Sequence, residues 1–321
     1  MPPPVPQPSW EHVLKQAARI REETARVIVG QNAVVEQMLT ALLCRGHCLL
    51  VGVPGLAKTL LVSTLGKILG LKVQRIQFTP DLMPTDILGS EVLQETPGGG
   101  RSFNFVPGPI FANLILADEI NRTPPKTQAA LLEAMQEKQV TVAGKTRSLE
   151  EPFLVFATQN PIEHEGTYPL PEAQLDRFAM KLSVGYPEAA DEAQMLRDAV
   201  GAVSVTLNEP PVLHTGQLAS IQSTVADVTV VDSLQDYLVR LAHETRRHPS
   251  IALGLSPRGL LTWQRTAQAR AWLSNRDFVT PDDVQDVAVP VLAVRFGLEQ
   301  HEAKSVILEI LEKVPVPEYV V

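Results

Sequence analysis

Short apolar runs alternate with helical patterns through the first half of the chain. Five segments are continuously apolar or alternate apolar with polar side chains, which predicts strands at residues 48–51, 73–78, 114–117, 153–157 and 179–182. Around them, apolar side chains recur every three or four positions, which predicts helices at residues 10–28, 32–43, 59–69 and 126–137. Strands that alternate with helices predict a three-layer α/β core with a mostly parallel sheet.

Two features depart from this alternation. Residues 89–110 hold consecutive glycines between short apolar segments, which predicts a hairpin-like insertion, and a second hairpin begins at Val140. From Tyr186 the pattern is helical to the end, with a strong helix start at Thr280 and Pro281. The predicted organisation is a tail and helix over 1–22, an α/β core over 23–190, a connector over 191–230 and a small all-α domain over 231–321.

Composition narrows the function classes. A formal charge of −8 argues against a generally basic nucleic-acid surface. Cys44 and Cys48 flank His47 without the further ligands of a zinc site, so they are interpreted as small hydrophobic residues of a reducing cytosol, with no disulfide. The proline-rich residues 1–8 are predicted to form an extended tail. Because they lack the features of a secretory signal and no long apolar run follows, we expect a cytoplasmic protein without a membrane segment.

The octapeptide after the first predicted strand carries the clearest chemistry. It matches the pattern G-x-x-x-x-G-K-S/T, whose backbone N–H groups surround phosphates while the lysine meets the β and γ oxygens and the hydroxyl ligates Mg²⁺. Ala57 stands where glycine is usual, and its methyl group is acceptable if the residue has helical torsions. The alternative is a Gly/Pro turn before an ordinary helix. The predicted nucleotide-binding residues are Gly52, Val53, Pro54, Gly55, Leu56, Ala57, Lys58, Thr59 and Leu60.

Polar residues follow two of the later strands. Asp118 ends the strand at 114–117, where a carboxylate can orient Mg²⁺ together with Thr59, directly or through water. Glu119 can accept a proton from the water that attacks the γ-phosphate. Asn160 follows the strand at 153–157 and can hydrogen-bond this water or the phosphate. In isolation, the acidic pair also fits a solvated helix cap, and Asn160 with Pro161 also fits a turn.

Four segments taken together resemble the MoxR family of AAA+ ATPases. They are the phosphate loop, Leu114-Ile115-Leu116-Ala117-Asp118-Glu119-Ile120-Asn121-Arg122, Ala157-Thr158-Gln159-Asn160-Pro161 and Leu170-Pro171-Glu172-Ala173-Gln174-Leu175-Asp176-Arg177-Phe178. The resemblance covers roughly residues 25–310 and includes the alanine at position 57 and the insertion, which is similar to that of the helix-2-insert branch. It implies a P-loop AAA+ core of three αβα layers with a parallel sheet, followed by a small all-α lid domain.

The resemblance also assigns roles to residues outside the loop. Arg177 takes the position of the arginine finger, which reaches into the nucleotide site of a neighbouring subunit. Arg258 is similar to the sensor-2 arginine of the lid, expected to contact the γ-phosphate of its own subunit. Val29 and Gly30 resemble the loop that lines the adenine pocket. The implied cofactors are ATP or ADP with Mg²⁺, and a finger supplied by a neighbour implies a ring, expected to be a hexamer.

The leading function is therefore an ATP-hydrolysing chaperone or remodelling ATPase that acts on partner proteins, which in MoxR-like proteins typically carry von Willebrand factor A domains. One alternative is the motor subunit of a magnesium-chelatase-like complex, which shares the insertion. A nucleic-acid motor is less favoured, because the sequence has no basic cluster or DNA-binding motif. A scaffold that binds ATP without hydrolysis is disfavoured by the intact Lys58, Asp118, Glu119 and Arg177.

Overall fold

A computed structural model describes residues 10–95, 100–161, 166–199, 210–213 and 216–318. The predicted tail at 1–8, two glycines of the insertion at 98–99 and residues 208–209 of the connector lie outside this part of the chain. The strands are β1 Cys48–Val51, β2 Val73–Gln77, β3 Gly89–Glu95, β4 Arg101–Pro107, β5 Leu114–Asp118, β6 Gln139–Val142, β7 Lys145–Ser148, β8 Leu154–Gln159 and β9 Met180–Ser183.

The helices confirm the predicted change from a mixed to a helical pattern. They are α1 Trp10–Val27, α2 Asn32–Leu43, α3 Lys58–Ile68, α4 Pro84–Leu88, α5 Pro125–Glu137, α6 Glu172–Leu175, α7 Ala189–Ala199, α8 Gln217–Ala226, α9 Asp232–Arg247, α10 Pro257–Leu273, α11 Pro281–Asp286, α12 Ala288–Leu292 and α13 Gln300–Lys313. Along the described chain, none of these helices has the length and apolarity needed to cross a membrane.

Five strands form one parallel sheet in the order β2-β5-β8-β1-β9. Alternate residues of a strand face opposite layers of helices. On β5, Leu114 and Leu116 belong to the hydrophobic cluster shared with α2 and α3, whereas Ile115 and Ala117 belong to the cluster shared with α5. The predicted three-layer α/β fold is therefore confirmed, and the carboxyl ends of β1, β5 and β8 meet at one edge of the sheet.

Both predicted hairpins lie outside this sheet. In the insertion, β3 pairs antiparallel with β4, from Gly89 opposite Pro107 to Glu95 opposite Arg101. The second hairpin pairs β6 with β7. The insertion bears two exposed apolar side chains that face each other across the strands, Leu93 and Phe103.

Helices α9 to α13, here called the lid, pack around buried Tyr237 and Trp263. Thr280 caps α11 through a capping box with Asp283, as the sequence predicts. Several contacts join the lid to the α/β core: α10 packs against α2, α12 packs against β9, and Val294 enters the hydrophobic cluster that contains α5. These contacts between the lid and the core determine where the lid residues lie relative to the sheet.

Candidate nucleotide site

The phosphate loop follows β1 and ends at the start of α3. Gly52 must be glycine, because a Cβ there would lie 2.5 Å from the carbonyl oxygen of Val184. Gly55 has φ +86°, a torsion that side chains with a Cβ rarely adopt. The Lys58 ammonium donates to the carbonyl oxygens of Gly52 at 2.7 Å and Val53 at 2.8 Å. These bonds curl the loop around the lysine, as expected of a phosphate-binding turn.

Ala57 does not have the right-handed helical torsions that the sequence analysis made a condition for its methyl group. Its φ of 55° and ψ of 22° place it in the left-handed region, directly before α3, and its carbonyl accepts the helix bond from the Leu61 N–H. For a residue with a Cβ, this conformation costs roughly 1–2 kcal/mol. The loop has to reverse direction before the helix begins, and here an alanine makes that turn. That part of the expectation was wrong.

A cleft of about 400 Å³ lies above the carboxyl ends of the strands. The predicted residues that line it are Pro54, Gly55, Leu56, Ala57, Lys58, Thr59, Leu60, Asp118, Glu119 and Asn160. Asn160 is only 8% exposed there. The structure thus brings three separate sequence motifs to one cleft, at the place where open α/β sheets bind ligands.

The donors at this cleft fit a nucleotide polyphosphate. The backbone N–H groups of Gly55, Leu56 and Ala57 form no hydrogen bond to a backbone carbonyl of the described chain, and they precede the positive end of α3. Burial lowers the pKa of Lys58 below its usual value, and the nearby charges of Asp118 and Glu119 act in the opposite direction. Anions that satisfy these donors fit the site.

The oxygen ligands for Mg²⁺ are few but suitably placed. Thr59 and Asp118 line the same cleft, and the Thr59 hydroxyl has no hydrogen-bond partner among the described residues. The described part of the chain has no cluster of three or more metal-ligating His, Cys, Asp or Glu side chains. This composition fits Mg²⁺, which is usually held by one or two protein oxygens together with phosphates and water.

The carboxylate of Asp118 is fixed from both sides by neighbouring strands. Thr158 on β8 donates its hydroxyl to Oδ1 at 2.6 Å, and Arg75 on β2 donates Nη2 to Oδ2 at 2.6 Å. Thr158 is 1% exposed, whereas the Arg75 side chain is half exposed. Neither residue was predicted from the sequence to belong to the site.

Glu119 has a left-handed φ of 57° and begins a short 3₁₀ turn. Its N–H donates to the Thr158 hydroxyl at 2.8 Å, and its Oε2 accepts from Gln77 at 3.1 Å and pairs with Arg122 at 3.2 Å. Arg75 and Gln77 are two residues apart and therefore lie on the same face of β2, which is the sequence feature that could have indicated their role. The pairing of β2 with β5 puts Gln77 opposite Asp118. Polar residues at the ends of flanking strands thus hold both acidic residues.

A second cavity of about 660 Å³ lies on the other side of the phosphate loop. It shares Leu56 and Leu60 with the first cleft, and Val29 lines it together with apolar residues of α1 and α7. Gly30 adjoins it, since a Cβ on Gly30 would lie 2.9 Å from Pro187. The residues predicted for the adenine pocket therefore line or adjoin a cavity next to the phosphate loop.

Arg177 lies at the opposite end of the sheet. It precedes β9, whose first residue Met180 pairs with Cys48, the first residue of β1, whereas the phosphate loop follows the last residue of β1. The four residues of β1 span about 13 Å. The Arg177 guanidinium makes no hydrogen bond or ion pair with another described residue. It does not line the cleft of its own subunit.

Arg258 lies at that same end of the sheet. It is the second residue of α10, and Ser256, which caps this helix, donates to Asp176 Oδ2 at 2.9 Å. The charge of Arg258 also lowers the pKa of His47, the residue before β1, although burial is the larger cause. Arg258 is exposed and is not among the residues that line the cleft. The expected contact with the γ-phosphate of its own subunit does not fit this placement.

Comparison with known proteins agrees with this architecture. Residues 47–180 match the family model described as ATPase family associated with various cellular activities, and residues 243–313 match an AAA lid domain. The chain is 44% identical to Chaperone MoxR1 of Mycobacterium tuberculosis, over 92% of this chain and 81% of that protein. It is 33% identical to Protein MoxR of Methylorubrum extorquens, over 94% and 95%. The crystal structure of a protein from Cytophaga hutchinsonii superposes with a TM-score of 0.87 at 39% identity, covering 96% and 97%.

Proposed function

The chain belongs to the MoxR family of AAA+ ATPases, and we propose that it hydrolyses ATP between adjacent subunits of a ring to remodel a partner protein. The observation that carries the proposal is the separation of its charged groups. Lys58, Asp118 and Glu119 meet at one end of the sheet, whereas Arg177 and Arg258 are at the other end. A site with all these groups needs two copies of the chain.

In this proposal each residue of the cleft has a distinct task. The loop N–H groups and Lys58 bind the β- and γ-phosphates. Thr59 and Asp118 would hold Mg²⁺, which neutralises charge on the phosphate oxygens when it is bound. Glu119 accepts a proton from the attacking water, and Asn160 orients that water. Thr158 keeps both acidic residues in register with the loop.

The arginines complete the site from the neighbouring subunit. A guanidinium is always charged and planar, so it suits the charge that spreads over the phosphate oxygens during transfer. We propose that Arg177 and Arg258 both act on the neighbour's nucleotide, which replaces the expectation that Arg258 acts within its own subunit. Such a dependence on neighbours favours a closed ring, for which we propose a hexamer.

The names of two relatives, Chaperone MoxR1 and Protein MoxR, support a chaperone-like role for the cycle. We propose that the work of the ring acts on partner proteins with von Willebrand factor A domains. Addition of such a purified domain should change the ATPase rate of the assembled ring. An unchanged rate with domains that do bind would remove this partner class.

The ATPase proposal is tested by measuring turnover as a function of protein concentration. Turnover per subunit should rise as the chain assembles. Lys58→Ala should lose ATP binding, Glu119→Gln should bind ATP without turnover, and Arg177→Ala should bind ATP but lose roughly 10³-fold or more in rate. Full activity of Arg177→Ala in the assembled state would contradict the shared site.

A further inference from the structure

Asp176, the residue before Arg177, is held by the lid through both of its carboxylate oxygens. Arg295, between α12 and α13, donates Nε to Oδ1 at 2.9 Å. Ser256, at the start of α10, donates its hydroxyl to Oδ2 at 2.9 Å. A single core residue thus connects two separate segments of the lid to the position next to Arg177.

Arg295 also holds the chain on the other side of Arg177. Its side chain is 4% exposed, and it donates Nη2 to the carbonyl of Phe178 at 2.9 Å and Nη1 to that of Ala179 at 3.2 Å. Burial lowers the pKa of this guanidinium, and Asp176 acts against the shift. Because a buried charge is costly unless it is paired and hydrogen-bonded, these contacts resist separation.

The same contacts fix the start of α10. The Ser256 hydroxyl that donates to Asp176 accepts the N–H of Gly259, so it caps the helix whose second residue is Arg258. A Cβ on Gly259 would lie 2.8 Å from Arg295 Nε, which shows how closely the helix approaches this arginine. The segments that carry Arg177 and Arg258 therefore share one set of hydrogen bonds.

We propose that Asp176, Arg295 and Ser256 form a joint that positions Arg177 and Arg258 together against the neighbour's nucleotide. Movement of the lid relative to the core then moves or releases both arginines. The proposal rests on the shared-site function above, and within it Asp176 and Arg295 are positioning residues that act through the two arginines.

The test uses Arg295→Lys and Asp176→Asn, which keep polar side chains of similar size. Each should bind a fluorescent ATP analogue as tightly as the native chain, while turnover falls about 100-fold, the scale expected when a catalytic group is misplaced. In a background that lacks both arginines, Arg177→Ala combined with Arg258→Ala, Arg295→Lys should cause no further loss. An additional loss of similar size would show that Arg295 does not act through these two arginines.

Mixed assemblies then show which subunit is affected. A Glu119→Gln subunit cannot hydrolyse but presents intact arginines, so mixing it with Arg295→Lys should restore turnover at the sites of the Arg295→Lys subunits. The reference mixture combines Glu119→Gln with Arg177→Ala. No recovery in this reference overturns the shared-site function itself, whereas recovery in the reference but not with Arg295→Lys overturns only the joint.

A substitution elsewhere in the lid distinguishes the positioning of the two arginines from a general effect on lid stability. Arg276 donates two guanidinium N–H groups to the Asp283 carboxylate, at 2.5 and 2.6 Å, and both residues belong to the lid. Asp283→Asn removes this ion pair. It should lower the unfolding temperature of the protein and leave turnover near the native value below that temperature. Equal loss of turnover in Asp283→Asn and Arg295→Lys would assign the effect to lid stability and contradict the joint.

Discussion

Thr158 and Asp118 are joined across two strands by a hydrogen bond of 2.6 Å from the hydroxyl to Oδ1. The same hydroxyl accepts the Glu119 N–H at 2.8 Å. A buried side chain that catalyses nothing itself thus fixes the carboxylate proposed for Mg²⁺ and the backbone of the proposed base. Its loss should affect catalysis and stability together.

Thr158→Val keeps the shape of the side chain and removes the hydroxyl. It leaves the Glu119 N–H without its acceptor, so the free energy of unfolding should fall by about 1–3 kcal/mol. The turnover number should fall about 10- to 100-fold, because both acidic residues lose their positioning. Thr158→Ser is the matched control, since it keeps the hydroxyl, and should retain most activity. Native turnover in Thr158→Val would remove this positioning role.

Ala57→Gly tests the left-handed torsion in the phosphate loop. Glycine relieves the strain at φ 55° but gains freedom in the unfolded chain, so the free energy of unfolding should stay constant or rise by up to about 1 kcal/mol. The control is Ala129→Gly at an exposed position of α5, which should cost about 1 kcal/mol. Denaturant titration gives the free energy of unfolding of both variants. Equal destabilisation by the two substitutions would show that Ala57 is not strained.

The strands and the shared acidic site could be predicted from the sequence, whereas the torsion of Ala57 could not. The strands β1, β5 and β8 were predictable, because side chains buried on both faces make continuous apolar runs. Lys58, Asp118 and Glu119 could be placed in one site, since the ends of parallel strands meet at one edge. The torsion of Ala57 could not be read from residue type, because a non-glycine residue is seldom left-handed.

The position of Arg258 could not be predicted for a different reason. Its helix was predictable, but its position depends on how the lid docks, which Val294 and the buried Arg295 decide through contacts far away in the sequence. The pairing of Arg75 with Asp118 likewise needs the register of β2 against β5. Local patterns predicted the elements and the cleft, whereas tertiary contacts decided which groups meet.

Arg258→Ala should leave ATP binding to its own subunit unchanged and reduce turnover only in the assembled state. Mixing it with Glu119→Gln subunits should restore part of the activity, because the arginine is then supplied by the neighbour. Arg265→Ala, an exposed arginine farther along α10, is the control and should behave like the native chain. Weak ATP binding by isolated Arg258→Ala subunits would instead favour the original assignment within one subunit.

Because of His47, we expect the free energy of unfolding to decrease in mild acid. Burial lowers its pKa to about 4, and the positive charges of Lys138 and Arg258 add to this effect, while its bond to the Met135 carbonyl opposes it. Its other ring nitrogen accepts the Val155 N–H at 3.0 Å, which requires the neutral ring. Between pH 6.5 and 4 the unfolded chain binds a proton that the folded chain does not. The free energy of unfolding should therefore fall as pH decreases through this range, by up to about 3 kcal/mol.

The variant His47→Asn separates this effect from general acid denaturation. Asparagine provides an oxygen near the position of the ring nitrogen that accepts from Val155, but it does not titrate in this range. Its free energy of unfolding at pH 7.5 should be lower than that of the native chain, because the bond to Met135 is lost. Its decrease between pH 6.5 and 4, measured by urea titration, should be smaller. The lost bond to Met135 lowers the free energy of unfolding by the same amount at each pH, whereas proton uptake by His47 changes its slope with pH. Parallel pH profiles of the two chains would therefore mean that His47 is not the group that titrates.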